Sequence, residues 1–209
     1  MASVKRPPAA AARSKPDAAR RERWARALLD GRFDEINGAF AQDNTEPPTV
    51  VWNPEHKQLQ SKVLWFLLDH WNGLRGAAAA PPMAALDPVD LRQALGYVLL
   101  IDPLDDGADF RYRLYGSLIA TVSGADLTGK RVSEHHASGH VVDFSLAGYR
   151  AAYLRAEPLY TLRHPARAVH TRSWERLVLP LLAKDGRVGR FLVGNVPTDH
   201  LGGTIRPQF

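Results

Sequence analysis

Residues 110–129 restrict the possible folds more than any other part of the sequence. Residues 110–115 alternate aromatic or apolar side chains with arginines, which is the two-residue period of a half-buried strand. Gly116 ends this strand, and residues 118–123 form a short apolar run that is typical of one or two helical turns. Gly124 stands where many helices end in a left-handed residue. The segment therefore predicts a strand, a short helix and a tight turn in close succession.

The rest of the chain supplies further strands and helices around this segment. Strands are predicted at 97–101, 110–115, 159–163, 173–183 and 188–196, and the Asp-Gly pair at 185–186 is a strong hairpin signal between the last two. Helices are predicted at 17–30, from Asn53 to a stop at Gly76, at 87–94, at 118–123 and at 142–153, with no element at 31–52. This order predicts an α+β fold, a five-stranded antiparallel sheet with helices on one face and an N-terminal helical extension.

Composition divides the chain into four parts. Residues 1–16 combine alanine, proline and basic side chains, so we expect a disordered basic tail. We assign 17–52 to an N-terminal helix and linker, 53–197 to the main domain with its leading helix, and 198–209 to a C-terminal tail. Residues 1–26 hold eight Lys or Arg against two acidic residues, so they carry the whole of the net charge of +5 and the rest of the chain is slightly acidic.

Several classes of protein are disfavoured by what the sequence lacks. The absence of cysteine excludes disulfides, thiolate metal sites and cysteine nucleophiles. No apolar run is long enough to cross a bilayer, so no membrane span is expected. Neither a glycine-rich nucleotide loop nor a Gly-x-Ser-x-Gly motif occurs. We therefore expect a cytoplasmic protein that is not an enzyme.

A group of motifs between residues 60 and 197 is more specific than any one element. They are the helix 64–75 with Trp71 near its end, Pro82 and Asp87-Pro88 as spacers, Arg-Tyr-Arg-Leu-Tyr-Gly at 111–116, Asp-Leu-Thr-Gly at 126–129, and Glu-Arg-Leu-Val-Leu-Pro-Leu at 175–181 before Asp185-Gly186. Together they resemble a PAS-like family found mainly in alphaproteobacteria. The resemblance implies the PAS fold and a stand-alone sensory module without an output domain, while the cofactor remains unknown.

The resemblance also implies a pocket between the inner face of the sheet and the helices that follow the second strand. Strand alternation decides which side chains reach it. If Arg113 or Arg176 points inward, its guanidinium could bind a carboxylate or phosphate; the alternative is an ion pair on the outer face with Glu175 or Asp109. The candidate ligand-binding residues are Tyr112, Arg113, Tyr115, Tyr149, Trp174 and Arg176.

A histidine cluster offers a second kind of site. His135, His136 and His140 lie near Glu134, and imidazole and carboxylate are common zinc ligands. Adjacent histidines diverge on either a strand or a helix, so the spacing does not favour a metal site and none is predicted. His140 precedes the helix predicted at 142–153 and could ligate haem, but this is also not favoured.

The expected function is that of a sensory or regulatory module that binds a small ligand or a signalling partner. One alternative is an adaptor whose pocket is filled by its own side chains, with Tyr112 and Trp174 in a closed core. Nucleic-acid contact through residues 1–26 is a weaker alternative. The tryptophans before the main domain predict either a homodimer through the N-terminal helices or packing on the chain's own sheet; they are Trp24, Trp52, Trp65 and Trp71.

Overall fold

The computed structural model describes residues 17–135, 137, 139–165, 171, 173–198 and 204. The predicted tails, 1–16 and nearly all of 198–209, lie outside this part. The α-helices are α1 (Ala18–Asp30), α2 (Asp34–Gln42), α3 (Lys62–Arg75), α4 (Ser117–Ser123) and α5 (Gly139–Arg155). The strands are β1 (Thr49–Trp52), β2 (Val98–Leu104), β3 (Asp109–Tyr115), β4 (Leu159–Arg163), β5 (Ser173–Leu182) and β6 (Val188–Thr198). Short 3-10 helices lie at His56–Gln58, Met83–Ala85, Pro88–Leu91, Leu95–Tyr97, Asp105–Gly107 and Val132–Glu134.

The strands form one antiparallel sheet in the order β1-β4-β5-β6-β2-β3. The hairpin β5–β6 is its longest pairing and runs from Ser173 opposite Thr198 to Leu182 opposite Val188. The α+β class, the antiparallel sheet and the N-terminal helical extension are confirmed, but α2 lies in the segment 31–52, where no element was predicted. The sheet gains a sixth strand because Thr49–Trp52, in a segment where no element was predicted, pairs with β4.

Helices cover both faces of the sheet, so the prediction of helices on one face only is wrong. On one face, Leu64, Leu67 and Trp71 of α3 pack against a cluster from β5 and β6. The contact is close at Gly194 of β6, where an added Cβ would lie 2.4 Å from Leu64 Cδ2. On the other face, α5 contributes Leu146 and its neighbours to a second cluster. The sheet is therefore the central layer, and α5 is the helix that limits what space remains beneath it.

The N-terminal helices pack on the far side of α5. Trp24 and Leu28 of α1 and Phe40 of α2 are buried against Phe144 and its neighbours on α5. As predicted, α1 begins after Asp17, whose carboxylate accepts hydrogen bonds from the N–H groups of the first turn. Since α1 and the sheet lie on opposite sides of α5, this helix connects the main domain to the N-terminal extension.

Packing within the chain accounts for most of the tryptophan surface. Trp24 and Trp71 are buried, and the Trp71 indole donates to Pro180 O at 2.8 Å. Trp52 donates to Leu28 O at 3.1 Å, while Trp65 keeps 36% of its surface exposed. The structure therefore supports packing on the chain itself, and the homodimer stays a prediction.

The predicted start of the long helix at Asn53 is wrong. The Asn53 N–H donates to Pro158 O at 2.9 Å, so this residue extends the β1–β4 pairing. The helix α3 begins at Lys62, with the Ser61 hydroxyl accepting from Val63 N. Just before it, the buried carboxylate of Glu175 accepts from the N–H groups of Gln60 and Ser61. A tertiary contact, which local sequence does not show, therefore holds the chain at the approach to the helix.

Candidate functional site

A cavity of about 380 Å³ lies between the inner face of the sheet and the helices α4 and α5. Tyr112 and Tyr115 of β3, Val122 of α4, Ser145 of α5 and Arg176 of β5 contribute to its walls. The lining also includes Leu99, Val132, His135, Val142, Arg163, Thr171, Trp174 and Asn195. Aromatic, hydroxyl and guanidinium groups thus meet in one space, and none of the described residues that line it is acidic.

A β-bulge in β3 determines which of its residues face the cavity. Leu100 of β2 lies opposite Leu114, whereas the next residue, Ile101, lies opposite Tyr112. Arg113 is therefore an extra residue without a partner on β2, and alternation shifts by one position after it. Tyr112 and Tyr115 both line the cavity as a result, although simple alternation places them on opposite faces.

At this bulge, the structure contradicts the prediction that Arg113 points into the cavity. Its side chain is exposed and is not part of the cavity wall, so the inward orientation considered from the sequence is wrong. It does not pair with Asp109 either, since that carboxylate accepts from the Ser133 hydroxyl at 2.7 Å and lies 3.4 Å from Arg131 Nη1.

Arg176 lies on the cavity side of β5, as regular alternation with Trp174 requires. Its Nε donates to Asn195 Oδ1 at 3.3 Å and its Nη1 donates to Ser145 Oγ at 2.8 Å. The guanidinium also lies 5.5 Å from the ring centroid of Tyr149, a cation–π distance. Tyr149 is buried and packs against Arg176, but it does not itself line the cavity.

The alternative ion pair between Arg176 and Glu175 is wrong. Glu175 is fully buried on the opposite face of β5, where its Oε2 accepts from Gln60 N, Ser61 N and the Tyr160 hydroxyl. Burial raises the pKa of Glu175, and the two N–H donors oppose that effect. The two adjacent charged side chains therefore serve different faces of the sheet.

Arg163 is the main site residue that sequence reasoning missed. It is the last residue of β4, is half-buried, and lines the cavity together with Arg176. Burial, together with the nearby charge of Arg176, lowers the pKa of Arg163 to about 10. Alternation along β4 could have found it, because Leu159 packs in the core cluster of the same face.

Two tyrosines supply neutral hydroxyl groups to the cavity. Burial raises the pKa of Tyr112 well above its usual range and also raises that of Tyr115. The Tyr115 hydroxyl lies 3.3 Å from Ser123 Oγ, which holds β3 against the end of α4. Both phenols are uncharged at neutral pH, so they act as hydrogen-bonding groups rather than as anions that would neutralise the arginines.

The histidine cluster divides between different environments. His135 lines the cavity, whereas His140 lies against Phe40 and has its Nε2 3.3 Å from Asp43 Oδ2. Burial lowers the pKa of His140 despite this carboxylate. His136 lies outside the described residues. Within the described part of the chain, no group of three or more His, Asp or Glu side chains is arranged to hold a metal ion.

The sequence from Leu59 to Gly194 matches a family model described as the PAS domain. The chain belongs to the PAS domain family. The match confirms the PAS resemblance and spans α3 and all of the sheet except β1 and the end of β6. The helices α1 and α2 and strand β1 lie outside the matched range of this PAS protein. No curated protein and no solved structure matches the sequence. Across the described residues, none of the helices is long and apolar enough to cross a membrane.

Proposed function

We propose that this PAS protein is a sensory module that binds a small molecule in the cavity and transmits its occupancy to the N-terminal helices. The observation that carries this proposal is the cavity itself. Its volume of about 380 Å³ suits a small ligand, and Tyr112 and Trp174 line it instead of closing it. Membership of the PAS family supports a sensory role rather than a catalytic one.

The route to the N-terminal helices runs through α5. On its cavity side, the Ser145 hydroxyl accepts from Arg176 at 2.8 Å. Two residues earlier, the fully buried carboxylate of Asp143 accepts from Nε of Arg20 and Nε of Arg21, each at 2.7 Å. A ligand that moves Arg176 acts on one side of α5. A shift of that helix alters the ion pairs of Asp143 with Arg20 and Arg21, which clamp α1 to α5. Two packings of α1 against α5 would then be the states that the ligand selects between.

The other candidate functions have less support. A self-filled adaptor pocket requires Tyr112 and Trp174 to close the core, and they border open space. For nucleic-acid binding, half of the eight basic residues at 1–26 are engaged with acidic groups, since Arg20 and Arg21 pair with Asp143, Arg23 pairs with Glu35, and Arg26 pairs with Glu22. The homodimer, the signalling partner and the cytoplasmic location stay predictions.

Hydrogen-exchange mass spectrometry of the full chain, in the presence and absence of a panel of cellular metabolites, tests the proposal. A tryptophan at Val122, which lines the cavity, should block it; Thr121→Trp places the same side chain on the exposed side of the same helix. We expect at least one metabolite to slow exchange in both α5 and α1 of the wild type and of Thr121→Trp, but not of Val122→Trp. Unchanged exchange in α1 and α5 across the whole panel would overturn the proposal.

A further inference from the structure

Two arginines share the cavity face of neighbouring strands. In the β4–β5 pairing, Arg163 lies opposite Trp174, and Thr161 lies opposite Arg176. The arginines are therefore diagonal neighbours on one face of an antiparallel pair, a relation in which the residues stand roughly 7–8 Å apart. Both side chains line the same cavity. Their positions come from the sheet register, so the pair is fixed by the fold rather than by a loop.

Neither charge is neutralised by the described part of the chain. No described carboxylate lies within ion-pair distance of Arg163 or Arg176, and the described part of the cavity wall contains no acidic side chain. The sequence 164–172, which connects β4 to β5, contains two further arginines and no acidic residue. Two like charges in a partly desolvated space repel each other and each carries a desolvation penalty. An anion that binds in the cavity reduces both the repulsion between the arginines and their desolvation penalty.

The surroundings of Arg176 leave part of its guanidinium available. Asn195 and Ser145 accept from Nε and Nη1, and no described residue accepts from Nη2. The guanidinium of Arg163 donates to no described residue. Arg176 is thus held in place by neutral partners that orient it without neutralising it, which is the arrangement expected of a group that receives an external oxyanion.

The rest of the wall indicates what the anion is attached to. Tyr112, Tyr115 and Trp174 present aromatic surface to the same space, and the phenols add neutral hydrogen-bonding groups. We propose that the ligand is a small organic dianion, with its two negative charges on Arg163 and Arg176 and a flat apolar body against the aromatic wall. This inference rests on the proposed function, because it names the class of molecule that the cavity senses.

Thermal unfolding of the full chain at constant ionic strength tests the charge requirement. The ring-bearing probes are benzene-1,3-dicarboxylate, benzoate and benzamide, which carry two, one and no negative charges. Inorganic phosphate, which is mostly a dianion in mildly alkaline buffer, has no ring. We expect the dicarboxylate to bind the wild type at least about tenfold more tightly than benzoate, and benzamide to bind more weakly still. Phosphate stabilises most proteins more than chloride does, so the informative comparison is that it should raise the melting temperature of the wild type more than that of Arg163→Met.

Substitution of the arginines provides the controls. Arg163→Met and Arg176→Met should each lose at least about tenfold in affinity for the dicarboxylate. Arg113→Met, which removes an exposed arginine from the same sheet, should bind like the wild type. Arg163→Met also reports on folding, since relief of repulsion should leave its melting temperature without ligand at or above that of the wild type.

Three results would overturn the proposal of a dianionic ligand. The first is equal stabilisation of the wild type by benzamide and by the dicarboxylate, and the second is equal stabilisation of Arg163→Met and the wild type by dianions. The third is that neither phosphate nor the dicarboxylate stabilises the wild type. A neutral metabolite that protects α1 from exchange would remove the dianion and leave the proposed sensory function standing. Binding of a dianion with unchanged exchange in α1 would leave the dianionic ligand standing and remove the proposed sensory function.

Discussion

The clamp between Asp143 and α1 gives the sharpest test of how the N-terminal helix is attached. The Asp143 carboxylate has no exposed surface and accepts from Arg20 and Arg21, and it also accepts from Asp17 N at 3.1 Å. Asp143→Asn keeps the size of the side chain but removes its charge. It also replaces one acceptor oxygen by an NH₂ group, which faces donors.

The magnitude follows from the burial of the partners. Removing one member of a fully buried ion pair costs about 3–5 kcal/mol. Arg20 and Arg21 keep 20% and 18% of their side-chain surface in water, so solvent recovers part of that loss. We expect Asp143→Asn to lower the free energy of unfolding by about 2–3 kcal/mol. The matched control is Arg23→Gln, which breaks an exposed pair on the same helix and should cost far less, because solvent screens that pair.

Urea unfolding measures the two variants, and native-state hydrogen exchange locates the effect. The loss in Asp143→Asn should appear first as faster exchange of the amides of α1, because the rest of the core does not depend on this carboxylate. A cost equal to that of Arg23→Gln, or unchanged exchange in α1, would refute the reasoning that α1 is held by Asp143.

Two other substitutions test the opposite face of the sheet. Gly194→Ala places a Cβ 2.4 Å from Leu64 Cδ2 and should destabilise the fold by about 1–3 kcal/mol. The control is Gly73→Ala on α3, where an added Cβ meets nothing within 4 Å and should not destabilise the fold. Equal urea unfolding midpoints for the two variants would contradict this packing. Burial raises the folded-state pKa of Glu175 above that of an exposed glutamate, so stability from this group is fully present below the unfolded-state pKa and lost as pH rises through the folded-state pKa. Glu175→Gln should therefore flatten the fall in stability above pH 4.5, and an unchanged pH profile from urea midpoints would count against this assignment.

The parts of the fold that local patterns determine were predictable. The Asp-Gly pair at 185–186 gave the β5–β6 hairpin because its turn geometry depends on those residues alone. Regular alternation along β5 is enough to put Trp174 and Arg176 on one face and Glu175 on the other, and the structure has this arrangement. Gly124 ends α4 in the left-handed conformation, as its position after the apolar run indicates.

The parts of the fold that depend on partners distant in sequence could not be predicted. Strand β1 has only four residues and exists through its pairing with β4, more than one hundred residues later. The bulge at Arg113 is set by the register of β3 against β2, so alternation within residues 110–115 could not show that Tyr115 returns to the cavity side. Arg163 gains its role from Arg176, which the register of β4 against β5 brings near.

The central claim is that this PAS cavity holds a small molecule, and a native mass spectrum of the freshly purified full chain tests it most directly. The account predicts a non-covalent adduct of small-molecule mass on the wild type and on Thr121→Trp, which disappears on denaturation and is absent from Val122→Trp. A spectrum in which all three proteins show only the mass of their own chain, or in which Val122→Trp carries the same adduct, would contradict it.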